Sequence, residues 1–522
     1  MNQATSTIDP KSLVAHNEHE TMEKGHLDPP EGIGKTAHLY QEDSEGRVLA
    51  KLLLPRPTSD PKDPLIWSRW RKLLAFISVS YFIFLSNFIT SSCSPILIFI
   101  MRDFDVTITQ ASYLITVNIL FLGVGNFFWV PLSLKIGKRP VFVASTIVFF
   151  VSSVWAMEVR SFGSLLGARI IQGFGASACE ALGPAVVADL FFLHERGFWC
   201  GFCMFMLALG SSLGGVLGGL VADGTGDWRW VFRMNAILTG VAVLLTILVQ
   251  SETNFKRPTE HESGDGMPVE EVRALRSQVQ SSWVKSLGFT AWYDREASIW
   301  KLWLRPFLTL RYPSVLWGSL VMGVSLGWLV LQLTANAGAF PIIYNYSAKG
   351  VGNIAISYIV TAVIGCFVGG PLSDWISAWF AKRRGGYFIP EYRLWSIVPV
   401  AVFAPIGLLM WGGGLQSALD PFVAIVGTAI THGIICAVSS FTIAYVVDCN
   451  RPIAGETVTA LTAVKNTFAF GFSFAVFPWL NLNGYLQVSG WMTLIEGVLF
   501  LLAIPMYIYG PRFRQWQEKD VF

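Results

Sequence analysis

The sequence predicts an all-α polytopic membrane protein: twelve transmembrane helices in two six-helix halves with pseudo-two-fold symmetry. Three observations carry this expectation. Apolar residues make up 53% of the 522-residue chain and charged residues 14%, against about 25% charged in an ordinary soluble domain; mean hydropathy is +0.50. Twelve apolar runs approach the roughly 20 residues that cross a hydrocarbon core of about 30 Å, and they fall as six, a long polar interval, and six more. Finally, "PLSLKIGKRP" at 131–140 closes the second run on Lys135, Gly137, Lys138 and Arg139, and "PLSDWISAWFAKRR", starting at Pro371, closes the eighth on Lys382 and Arg383. A basic turn at the same place in each half marks an internal repeat of the kind found in duplicated transporter bundles.

Taken in order, residues 1–65 are polar, rich in Asp, Glu, Lys and Pro, and expected to be a disordered cytoplasmic tail. They lack the basic-then-apolar design of a signal peptide. "GIGKT" at 32–36 resembles the end of a phosphate-binding loop, but Pro29 stands where its first glycine belongs and no strand precedes it. The first six-helix bundle is expected over 66–250, with spans at 73–100, 109–131, 139–157, 163–189, 198–221 and 230–250. The cytoplasmic central loop covers 251–307, and its Trp292, Tyr293, Trp300 and Trp303, mixed with Lys301 and Arg305, suit a helix lying in the headgroup zone. The second bundle, 308–510, has spans at 313–345, 351–370, 393–411, 420–448, 456–479 and 490–509; residues 511–522 form a cytoplasmic tail.

Orientation follows from the loop cations. If the N-terminus is cytoplasmic, that side carries Lys62, Arg69, Arg71, Lys72, the two basic turns, Arg196, Arg393, Arg451, Arg512, Arg514 and Lys519. The other side carries Arg102, Arg160, Arg229, Arg233 and Lys349. Both termini are therefore expected in the cytoplasm, and the plasma membrane is the expected location. Asn345-Tyr346-Ser347 is a glycosylation sequon in an external turn, close to the bilayer.

Several function classes are excluded or left without support. A net charge of +3 with no basic stripe does not describe a nucleic-acid binder. The seven cysteines are scattered and have neither disulfide-framework nor zinc spacing; Cys200 and Cys203 have redox-motif spacing but lie in an apolar run. No cluster of His, Cys or carboxylates suggests an enzyme, and no metal or cofactor is expected.

The candidate functional residues are the polar interruptions of the spans. A central Arg costs about 2.5–3.5 kcal/mol on insertion scales, so Arg169 in span 4 needs a partner. On a straight helix Glu180 lies about 20° around and about 16 Å deeper, with Gln172 on much of the same face. Lys465, in span 11 and followed by Asn466, could neutralise an anionic substrate or pair with Glu180. Asn87 in span 1, Gln332 and Asn336 in span 7, His432 and Tyr445 in span 10, and Asn466 are expected, with Gln172, to line a cavity amid Trp, Phe and Tyr, suited to an amphipathic organic molecule. Asp189 and Asp448 end spans 4 and 10 at equivalent positions, where capping or gating is expected. In span 5, Gly210, Gly214 and Gly218, with Gly215 and Gly219 beside them, form a strip on which another helix can approach closely; it is expected to let the halves rock.

These residues resemble the major facilitator superfamily. "PLSLKIGKRP" is similar to its signature loop G-x-L-S-D-R-x-G-R-R, and "ARIIQGFGAS" to the R-x-x-Q-G-x-G pattern of proton-coupled members. "DPLIWSRWRK", "ADLFFLHERG", "DWRWVF" and "PEYRLW" look like fungal drug:proton antiporter-type members; the likeness covers about 60–515. Leu134 and Val130 replace the signature's acid and first glycine, whereas "GGPLSD" keeps Asp374, which the resemblance implies holds a gate. Gly215 stands where the antiporter pattern G-x-x-x-G-P-x-x-G-G has proline. The resemblance implies a central cavity lined by spans 1, 4, 7 and 10, proton coupling through Arg169, and secondary transport of a small organic molecule by a monomer. Efflux of a drug, toxin or secondary metabolite is the expected direction. Uptake of a nutrient or organic cation, or ligand sensing without transport, are the alternatives.

Overall fold

The computed structural model describes residues 40–42, 48–53, 55–255, 267–278, 293, 298–383, 389–450 and 453–518. Among them, eleven stretches are long and apolar enough to cross a bilayer: Arg69–Phe104, Ile108–Ile136, Lys138–Met157, Phe162–Leu190, Phe198–Thr225, Arg229–Val249, Pro313–Tyr344, Ala348–Phe380, Pro390–Gln416, Pro421–Cys449 and Ala454–Gln517. The last has 64 residues. At 1.5 Å per residue that is about 96 Å, roughly three bilayer cores, so it cannot be one span. Gly484, at φ 71° and ψ 167°, turns it back, and 454–483 and 485–517 are spans 11 and 12. The expected runs all recur, shifted by several residues at their ends.

Local chemistry starts and breaks these helices. Thr107 and Gln110 form a reciprocal capping box on span 2, Ser161 caps span 4, and Asp420 caps span 10 ahead of Pro421 at its first turn. Span 4 is interrupted at Ser177. In span 8, Pro371 lies within a π-turn at Val368–Leu372, as the missing N–H requires some rearrangement of the ladder.

Spans 1–6 and 7–12 form two halves that meet where span 2 packs on span 11 and span 5 on span 8. Spans 1, 4, 7 and 10 are the most enclosed. Outer spans turn bare apolar side chains outward, such as Ile237, Leu244 and Leu248 in span 6 and Val402, Phe403 and Ile406 in span 9; a surface this greasy belongs in hydrocarbon. Below, the proximal end is the one where span 1 begins and span 12 finishes; the distal end is opposite.

Short strands also form within the stretches read as tail and loop. Tyr40–Glu42 pairs antiparallel with Val48–Leu53, and Leu52 and Leu53 pair with Pro268 and Met267. Leu65 and Met267 pack with Phe192 and Val272, so the segment before span 1 is stitched to the central loop. The "GIGKT" stretch and Trp292 lie outside the described residues. The helix Ile299–Thr309 crosses the proximal end: Phe307 stacks on Phe127 of span 2, with centroids 4.3 Å apart, and Arg305 lies 3.5 Å from Glu456 of span 11. It touches both halves.

Candidate functional site

Between the halves lies a cavity whose protein-free space, counted out into its open mouth, is about 1200 Å³. It runs from mid-span at Ser94 and Leu333 to Pro184, Ile443 and Val458 toward the proximal end. Toward its distal end spans 5 and 8 close on each other at glycine. A Cβ on Gly219 would meet the Ala348 carbonyl oxygen at 2.5 Å, and one on Gly352 the Gly215 carbonyl oxygen at 2.5 Å. The glycine strip therefore has two faces. Gly215 and Gly219 meet span 8 across the seam. Gly210, Gly214 and Gly218 press on the Phe84, Phe88 and Ser92 carbonyls of span 1 within their own half.

Aliphatic side chains such as Met204, Met322, Leu326, Leu329, Ile119 and Ile435 alternate in the wall with polar ones, and His432 is the lone aromatic ring among the lining residues. The expected Trp, Phe and Tyr lining is thus corrected: those rings pack between helices, as Tyr445 does edge-on against Trp317 and Trp328 against Phe472. Of the residues singled out in the sequence, Asn87, Glu180, His432, Lys465 and Asn466 line the cavity. Gln172, Gln332 and Tyr445 do not; each is buried. Asn336 borders a smaller adjoining space, held by Thr428 and by the Trp411 indole N–H at 2.9 Å.

One ion pair bridges the halves at this wall. Lys465 Nζ of span 11 is salt-bridged to Glu180 Oε1 of span 4, and Asn466 Nδ2 donates to Glu180 Oε2 at 3.1 Å. Close approach makes this possible: a Cβ on Gly123 of span 2 would overlap Asn466 Cβ at 2.5 Å. Of the two partners the sequence left open for Lys465, the carboxylate is the one it contacts.

Arg169 takes no part in that pair. It is fully buried and donates from Nε to the Leu114 carbonyl at 2.9 Å, from Nη1 to the Ile89 carbonyl at 3.3 Å, and from Nη1 to Gln172 Oε1. Gln172 Nε2 donates to Ser153 Oγ at 2.8 Å, and the Arg169 carbonyl accepts from Asn118. The guanidinium thus ties spans 1, 2, 3 and 4 through oxygen acceptors, with no carboxylate. Arg169 and Glu180, eleven residues apart on span 4, belong to two separate networks.

Each half has a charged cluster at its proximal end. In the first, Lys138 is salt-bridged to Asp189, and the backbone N–H groups of Lys138 and Arg139 both donate to Glu252, at 3.1 Å each. Arg139 Nε and Nη2 donate to the Gln250 and Ile247 carbonyls. Burial pushes the Glu252 carboxyl up, against those N–H donors and Lys138, which draw it down. In the second half, Arg393 grips Asp374 at 2.5 Å and Asp448 at 2.8 Å, while Arg514 Nε and Nη2 donate to Glu391 at 2.9 and 3.0 Å. Lys138 and Arg139 are buried, although the sequence reads as an exposed basic turn. Arg383 is exposed and lies over Trp379; the Lys382 side chain lies outside the described residues.

Sequence reasoning passed over Glu252, Glu391 and Glu496. Glu252 and Glu391 read as ordinary loop charges. Glu496 carries the same signal as Glu180, a single acid in an apolar run.

The profile of the Major Facilitator Superfamily matches residues 79–478. The chain is 29% identical over 516 residues to the MFS transporter cpaT of Aspergillus oryzae, covering 95% of this chain and 99% of that protein. It is 26% identical over 531 residues to the efflux pump FUBT of Fusarium oxysporum, covering 95% and 84%. Among solved structures, the proton:xylose symporter XylE bound to 6-bromo-6-deoxy-D-glucose aligns with a TM-score of 0.59 at 14% identity, over 86% of this chain and 97% of that one. A partially occluded inward open form of XylE from E. coli aligns with a TM-score of 0.56 at 14% identity, over 84% and 99%.

Proposed function

Because the chain belongs to the Major Facilitator Superfamily, we propose that this membrane transporter is a proton-driven exporter of a small amphipathic molecule. It acts as a monomer in the plasma membrane with both termini in the cytoplasm. The observation that carries the reading is the Lys465–Glu180 pair across the two halves at the cavity wall. A proton arriving at Glu180 removes the charge that holds Lys465, so the same event loosens the seam and alters the polarity of the cavity. Proton and cargo then compete for one pair, which is what antiport requires.

Close packing of spans 5 and 8 at the distal end supports the reading that the present conformation accepts cargo from the cytoplasm. A wall of aliphatic side chains interspersed with polar ones suits an amphipathic molecule; efflux pumps among the relatives support the outward direction. Arg169 holds the frame of spans 1 to 4 in which Glu180 is set, one step removed from the exchange.

Purified chain in proteoliposomes, with a pH dye trapped inside, tests this against a panel of amphipathic acids, amines and neutral compounds. Export predicts that at least one compound drives proton movement opposite to its own. In Glu180→Gln, proton movement should vanish while downhill cargo flux persists; proton movement unchanged in that variant overturns the assignment. Movement of both in one direction indicates uptake, and binding without flux a sensor.

A further inference from the structure

Glu496 lies in the middle of span 12, 3% exposed, and outside the cavity. Its carboxyl Oε1 is 2.8 Å from Ser325 Oγ of span 7, and that same Oγ is 2.9 Å from the Val321 carbonyl of its own helix. A serine has one hydroxyl hydrogen. Two oxygen acceptors around one hydroxyl leave one contact without a proton, unless the carboxyl carries its own and donates to Ser325 Oγ.

Among the described residues, the surroundings supply no counter-charge. Span 7 between 313 and 344 and span 9 between 397 and 416, both packed on span 12, contain no Asp, Glu, Lys, Arg or His. On span 11, Glu456 faces Arg305 and Lys465 faces Glu180. On span 10, His432 lies at the cavity wall. At the proximal end Glu391 is held by Arg514. An ionised carboxylate here would be buried and unpaired, the arrangement that membrane interiors tolerate least.

We propose that Glu496 is a proton-binding site separate from the cavity pair: in this conformation its neutral carboxyl donates to Ser325 and latches span 12 to span 7. Loss of that proton leaves a buried carboxylate met only by the Ser325 hydroxyl and by no cation, so the charge is drawn toward water and span 7, a cavity-lining helix, is released from its outer support. The first half has a neutral link at the matching seam, Tyr81 Oη donating to the Leu238 carbonyl at 3.2 Å, and span 6 has no ionisable side chain over 234–249. The proton site therefore belongs to one half. That its proton exchanges during transport rests on the proton-driven reading above.

The test is infrared spectroscopy of the full chain in lipid at neutral pH. Wild type minus Glu496→Gln should show the C=O stretch of a protonated carboxyl; carboxylate bands in that difference overturn the proposal. Ser325→Ala removes the acceptor and should shift the C=O band, and an unshifted band overturns the latch. Glutamine keeps an N–H donor for Ser325, so the latch in Glu496→Gln stays shut and dye-reported proton flux should fall about tenfold, one hydrogen bond's worth of barrier. Flux equal to wild type overturns the exchange step. If wild type moves no protons with any compound, the exporter reading fails while the infrared result still decides the protonation state.

Discussion

The proximal clusters of the two halves solve one problem with opposite charges. In both, a cation at the start of the third span of the half grips the aspartate that ends its fourth: Lys138 with Asp189, Arg393 with Asp448. The second tie, to the end of the sixth span, is inverted. Glu252 follows span 6 and accepts from the start of span 3, whereas Arg514 on span 12 donates to Glu391 ahead of span 9. The first cluster has Lys138 and Arg139 against Asp189 and Glu252, two minus two, net zero. Among the described residues, the second has Arg393 and Arg514 against Asp374, Asp448 and Glu391, two minus three, net −1. What a half preserves is therefore the tie between helix ends and not the residue that makes it, and the second half carries the surplus acid.

The largest break in this comparison is expected at Arg393. Its removal leaves Asp374 and Asp448 facing each other with no cation between them, and half-buried orphaned pairs of this kind cost about 3 kcal/mol. Arg393→Ala should lower the melting temperature of the chain in lipid more than any other change in either cluster. Lys138→Ala strands Asp189 alone and should cost about 1–2 kcal/mol. Equal losses for the two would mean that the surplus acid plays no part.

Gly137→Ala breaks the first half through its backbone. Its φ is 104°, where a side chain is strained, and a Cβ there would sit 2.4 Å from Glu252 Oε2. The expected cost is of order 1–3 kcal/mol, read by melting, and Glu252→Ala should relieve part of it by clearing the space.

Helix positions were legible in the sequence because the bilayer imposes a run length that nothing else imitates. Charges were conspicuous for the same reason: Glu180 and Lys465 stand out in apolar runs. Their partners were less legible. Arg169 is satisfied by the carbonyls of Leu114 and Ile89, and a carbonyl belongs to every residue, so no residue type announces it. Gln172 was placed at the cavity by projecting a straight helix, and Tyr445 as a polar interruption of span 10. Gln172 instead bonds Arg169, in span 4 ahead of its interruption at Ser177. The strand pairing of 48–53 with 267–268 links segments far apart in the chain, and so short a ladder leaves no period to read.

Glu252 distinguishes the clusters by pH. Burial raises its carboxyl above the usual value of 4.5, so the folded chain holds this proton more tightly than the unfolded one. Stability from this group is fully present below the unfolded value and falls as pH rises through the raised folded one. Glu252→Gln should flatten that part of the melting-temperature profile between acid and neutral pH. A profile that keeps its slope in the variant would overturn the assignment to Glu252.

The smallest effect is expected where the two signature loops differ most openly. Leu134 takes the place of the acid that Asp374 supplies in the second half, and it is 37% exposed. Leu134→Asp would restore the written symmetry of the loops. The cations it needs are already engaged, however: Lys138 with Asp189, and Arg139 with the Gln250 and Ile247 carbonyls. A new carboxylate there could gain no more than a surface pair, under about 1 kcal/mol, and would bring the first cluster to net −1 like the second. The melting temperature should move by a degree or two at most. A large stabilisation would show that the first half retains an unused seat for the acid, and that its tie through Glu252 is an addition to the second half's arrangement and not a replacement for it.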